Sequence, residues 1–68
     1  MKTISYRLAL ALRAGADNAR KTAEDIRREV SEGNEAPYRA GLEDALEWDK
    51  DARLIEEFLA SFDQEVLP

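Results

Sequence analysis

Any serine nucleophile in this chain must be Ser5, Ser31 or Ser61, and none of its 68 residues is His or Cys. Without them there is no Ser-His pairing, no thiolate, no His general base and no Cys/His zinc site. Carboxylates are plentiful, with Asp49 close to Asp51 and Glu56 beside Glu57. Helix neighbours one or two positions apart diverge, however, so such pairs do not converge on a substrate. Asp49-Lys50-Asp51 opens like a calcium loop, but no Gly stands at the sixth position. The Glu-x-x-His of di-iron bundles is absent, as is a Gly-rich phosphate loop. The expectation is a non-enzymatic protein with no catalytic residue, cofactor or metal.

With chemistry set aside, composition points to helices. Ala, Glu, Lys, Leu and Arg supply 38 of the 68 residues, a share that marks long-helix and coiled-coil proteins when it is periodic. Apolar residues make up 44% of the chain, but eleven of those thirty are alanines. Nineteen larger apolar side chains are few for a lone core, because chains below roughly 70–80 residues rarely stabilise one without staples. No apolar run approaches the ~18–20 residues of a membrane span, and no signal-peptide pattern opens the chain. A cytoplasmic location is expected.

Gly33-Asn34-Glu35-Ala36-Pro37 is the strongest punctuation. Gly suits the position just past a helix end, Asn an N-cap, and Pro a first helical turn. The chain therefore reads as one all-α domain over 1–68, with a helix over about 4–32, a turn at 33–37 and a helix over about 37–64. The second segment carries an unbroken heptad: Tyr38, Gly41, Ala45, Trp48, Ala52, Ile55, Leu59, Phe62 and Val66. Such a seam packs against another helix at a crossing near +20°. In the first segment the seam runs Leu8, Leu12, Gly15, Ala19, Thr22, Ile26. Ala11, Gly15, Ala19 and Ala23 form a trough that Trp48 and Ile55 are placed to fill in an antiparallel hairpin, unless the alanines serve only as helix formers.

Read as helix, residues 4–12 are apolar almost all round and lie beside Phe58, Leu59, Phe62, Val66 and Leu67. Two helices cannot hide so much at one end, and apolar faces of this kind are normally buried by more protein. The expected assembly is a homodimer forming a four-helix bundle. An alternative reading starts from strand-like alternation, with Ile4, Tyr6, Leu8, Leu10 and Leu12 against Ser5, Arg7, Ala9, Ala11 and Arg13. Ile4-Ser5-Tyr6-Arg7-Leu8 resembles the opening strand of ribbon-helix-helix repressors. That likeness implies a strand pair formed between two chains of a DNA-binding dimer.

Charge divides by segment. Residues 1–32 hold seven Lys/Arg against five Asp/Glu, and residues 33–68 hold three against ten, giving +2 and −7 within the net −5. Arg13, Arg20 and Arg27 recur every seven residues, flanked by Lys21 and Arg28, with Asp17→Lys21 and Glu24→Arg28 as i,i+4 pairs. Glu43, Asp44, Glu47, Asp49, Asp51, Glu56 and Glu57 line the outer faces of the second helix. These fields either favour antiparallel pairing of the helices or meet a partner. Net acidity favours a protein partner over nucleic acid, while the arginine stripe is the place where RNA phosphates would be tracked.

Leu46 and Leu54 lie off the seam, and Phe58 lies beside it. They either widen a dimer interface or anchor a partner protein, rimmed by Glu43, Glu47 and Asp51. Tyr38 and Arg39 at the turn are types enriched in hot spots, although Tyr38 equally suits a core cap. In architecture the chain resembles two groups of small hairpin dimers. One is the Rop-like plasmid bundles, which bind paired RNA loops through their first helices; this implies a role for Arg13, Arg20 and Arg27. The other is phage host-takeover proteins that block a bacterial transcription activator. The leading expectation is an acidic homodimer that docks on another protein and modulates or inhibits it.

Overall fold

Ser5 decides where the first helix begins. In the computed structural model, which describes residues 2–33 and 41–67, the Ser5 hydroxyl accepts a hydrogen bond from the Leu8 amide at 3.0 Å. This N-cap satisfies one of the orphan donors of the first turn. Helix α1 then runs Tyr6–Ser31. At its other end Gly33 takes φ 78°, and its amide donates to the Val30 carbonyl at 3.1 Å. Positive φ carries little cost for Gly, which explains the stop expected there. Helix α2 spans Gly41–Ala60. The expected turn and the start of the second helix, including Tyr38 and Arg39, lie outside the described residues.

The helices run in opposite directions. As position rises along α1 through Arg13, Arg20 and Arg27, the paired acids fall from Glu65 to Glu56 to Asp49. The heptad expected of α2 holds between residues 41 and 62. Gly41, Ala45 and Ala52 are buried, and Trp48, Ile55, Leu59 and Phe62 are half-buried.

On α1 the seam is turned from its expected position. Leu12, Ala19 and Ile26 belong to it, but the buried positions between them are Ala9, Ala16 and Ala23 rather than Leu8, Gly15 and Thr22. Small side chains at the contact let two helix backbones approach closely, and this outweighs the pull of a single Leu8. Ala16, Ala19 and Ala52 form the centre, with Trp48 and Ile55 packed against it. Among the described residues the buried apolar ones are Ile4 and six alanines, and no large side chain falls below 2% exposure.

The two ends of the fold correct the all-helical expectation. Residues Thr3–Ser5 form strand β1 and Gln64–Val66 form strand β2, paired in parallel with Thr3 opposite Gln64, Ile4 opposite Glu65 and Ser5 opposite Val66. The first helix thus starts at Tyr6, and the second ends at Ala60 with Val66 in a strand, not in the seam. Three hydrogen bonds hold the junction. The Lys2 amide donates to Asp63 Oδ2 at 2.6 Å, the Asp63 amide donates to the Lys2 carbonyl at 2.7 Å, and Lys2 Nζ reaches Ser61 Oγ at 3.4 Å. Beside them Lys2 Nζ lies 4.9 Å from the Phe62 ring centre, and Phe62 meets Phe58 edge to face at 5.0 Å, a favoured aromatic geometry. The strand alternation near Ile4 is therefore real for three residues, and its partner lies in the same chain.

Candidate protein-docking surface

Every fourth residue of α2 from Leu42 gives Leu42, Leu46, Lys50, Leu54 and Phe58. Four residues advance a helix by about 400°, so this row climbs obliquely across the face opposite Ala45 and Ala52. The leucines are exposed by 56, 64 and 54%, and Phe58 by 48%. Glu43, Glu47 and Asp51 sit three positions before Leu46, Lys50 and Leu54, which makes them helix-surface neighbours of the ridge. All three acids are exposed. The structure thus brings together Leu46, Leu54, Phe58, Glu43, Glu47 and Asp51, and adds Leu42, whose place in the four-residue row was the available signal. Phe58 has a second contact, through its ring pair with Phe62, which ties the ridge to the sheet end.

The remaining expected interface residues divide. Ala45 and Ala52 are buried in the seam, while Leu12, Trp48, Ile55, Leu59 and Phe62 remain half-buried and Leu8 is exposed. Nine large apolar side chains are exposed among the described residues, a surplus of the kind that marks interaction surfaces when it is contiguous.

The arginine stripe runs along one exposed edge of the hairpin, and each guanidinium reaches across to an acid on the other side. Arg13 pairs with Glu65, Arg20 with Glu56 and Arg27 with Asp49. Asp49 and Glu56 therefore close against α1 instead of lining an outer face. Arg20 grips Glu56 through both guanidinium nitrogens, with Nη2 to Oε1 at 2.6 Å. This hydrogen bond is the main reason that the Glu56 carboxyl is held below its ordinary range and Arg20 is raised above its own. Arg28 pairs with Asp25 at 2.7 Å, one position from the expected Glu24. On this flank a shallow cleft of about 340 Å³ is lined by Arg13, Ala16, Asp17, Glu56 and Leu59.

Each serine hydroxyl is committed to a helix end. Ser5 caps α1, Ser31 donates to the Arg28 carbonyl at 2.9 Å, and Ser61 donates to the Phe58 carbonyl at 2.6 Å. Among the described residues no group of three or more carboxylates is placed to hold a metal ion, and no helix is long and apolar enough to cross a membrane.

The molecule is a two-helix hairpin whose ends are joined by a two-stranded parallel sheet. No protein-family model, no curated protein and no solved structure matches the chain. The likeness to small hairpin proteins extends to the two packed helices alone.

Proposed function

We propose that this chain is a non-enzymatic, homodimeric docking module that binds another protein through the outer ridge of α2 and modulates it. The carrying observation is an inverted distribution of side chains. Alanines occupy the seam, while Leu42, Leu46, Leu54 and Phe58 stand exposed in one row. An amphipathic helix recognised by a groove presents anchors spaced by whole turns, as this row does. Its acidic neighbours Glu43, Glu47 and Asp51 favour a partner whose groove is rimmed with Lys or Arg. The RNA-binding alternative is less supported, because Arg13, Arg20 and Arg27 already hold carboxylates.

Affinity capture from a lysate of the encoding organism tests the reading, with wild type and a Leu46→Glu/Leu54→Glu variant as paired baits. A partner recovered by wild type, lost by the variant and released by rising salt supports it. Recovery of the same proteins by both baits, or of none by either, removes this ridge as the binding site.

A further inference from the structure

Leu42, Leu46, Lys50, Leu54 and Phe58 follow one another by four, and the next step of that row is Phe62. Helix α2 ends at Ala60, but the Phe62 amide still donates to the Leu59 carbonyl at 3.2 Å, and its ring meets that of Phe58. The row thus continues one place past the helix. Yet Phe62 is half-buried where the leucines are exposed. What lies over it comes from the opposite end of the sequence. Lys2 Nζ stands 4.9 Å from the Phe62 ring centre and 6.0 Å from that of Phe58. An ammonium within about 6 Å of a ring centre is attracted by the quadrupole of the ring.

We propose that β1 is an autoinhibitory strap across the end of the docking ridge. Paired with β2, it holds Lys2 over the Phe58–Phe62 corner; released, it leaves Phe62 free as the next anchor of the ridge. This rests on the reading of the ridge as a docking surface and adds how that surface is regulated. β1 is suited to detach alone. Each strand has three residues and a single partner strand, and a two-stranded pairing is marginal by itself. Opening such a unit costs less than unfolding helices that pack along their length. Two features hold it closed. Ile4 is the one buried side chain larger than alanine among the described residues. The Lys2 backbone also exchanges hydrogen bonds with Asp63, at 2.6 and 2.7 Å. Charge links the strap to docking, since Lys2 sets on the aromatic corner the kind of cation that the acids of the ridge favour in a partner. A partner seated on both rings has to displace Lys2, so docking and release of β1 strengthen each other by linkage.

Amide hydrogen exchange on the full chain tests whether β1 opens by itself, and the neutral dye Nile red tests what the opening uncovers. The amides of Thr3–Ser5 and Gln64–Val66 are expected to exchange faster than those in the middle of α1 and α2. Asp63→Ala removes the carboxylate that accepts the Lys2 amide. It should speed exchange of the strand amides by about tenfold, leave the helical circular dichroism unchanged and raise Nile red emission several-fold. Adding Phe62→Ser should cancel the gain in emission. Strand amides that exchange at the rate of the helices would overturn the strap, as would loss of helix in Asp63→Ala, because β1 would then not open alone. Emission that fails to rise, or rises equally with Phe62→Ser, would overturn the uncovering of Phe62. No readout requires a partner, so failure of the strap and failure of the ridge in affinity capture are separate results.

Discussion

Ile55 Cδ1 lies 3.8 Å from the position that a β-carbon would take on Gly15, an ordinary van der Waals separation. The space beside Gly15 therefore has room for one methyl group. Gly in a helix interior costs about 1 kcal/mol against Ala, mostly through the freedom of the unfolded chain. Gly15→Ala is expected to raise the thermal midpoint by several degrees, about 4–8 °C per kcal/mol for a chain of this size. A lower midpoint in calorimetry would show that the two helices approach more closely there than described.

Ala52 is wholly buried between the helices. Added methylenes at a close-packed position force side chains off their rotamers and move backbones, typically costing about 1–3 kcal/mol. Ala52→Leu is expected to lower the urea midpoint despite its greater hydrophobicity. A gain in stability would mean that the seam has slack, against the role given to its alanines.

The Arg20–Glu56 pair predicts a pH dependence of known sign. Arg20 holds the Glu56 carboxyl below its ordinary range in the folded chain. A depressed folded value contributes stability that is present above the ordinary carboxylate range and is lost as pH falls through the folded value. Glu56→Gln should therefore flatten the acid limb of a stability-versus-pH profile obtained by chemical denaturation. Identical acid limbs would show that the pair has no such linkage.

Arg20 and Arg27 both bind α2 acids, so Arg20→Ala/Arg27→Ala should loosen the hairpin and leave it without gain or loss of RNA affinity. The check is a denaturation curve beside a titration with paired RNA loops at about 50 mM salt, where phosphate contacts bind strongly. RNA binding by wild type that the double variant abolishes would restore the nucleic-acid reading.

Ser5→Ala removes the hydroxyl that accepts the Leu8 amide. Loss of such a cap costs about 1 kcal/mol. The expected signature is local, with faster amide hydrogen exchange at Tyr6–Leu8 and at the β1–β2 pair than in the middle of α1. Uniform acceleration along α1 would place the effect elsewhere.

Much of the fold was legible because it repeats. The heptad of α2, the stop at Gly33 and the opposed charges of the two segments follow from spacing and residue type, and the structure has them. Ala19 and Ala23 were foreseen in the small-residue trough, but the rotation that buries Ala9 and Ala16 and leaves Ala11 and Gly15 exposed was hidden, since periodicity alone does not say whether large or small residues make the closer contact. The sheet was hidden for a different reason. Each strand is three residues long, and the hydrogen bonds that fix the pair join Lys2 to Asp63 across 61 positions, where no local pattern records them. The outer ridge was half visible: Leu46 and Leu54 stood out against the heptad, while Leu42 emerged only once Ala45 and Ala52 defined the buried side.

The β1–β2 pair also changes how this hairpin opens. An ordinary pair of helices joined by one connection can splay from its free end like a clothes-peg. Here the chain's own continuity joins the helices at one end and the Lys2–Asp63 latch joins them at the other, so neither end is the natural place to begin. Separation of the helices from the sheet end requires the latch to release, so the Lys2–Asp63 hydrogen bonds stand between the closed hairpin and exposure of the alanine seam there.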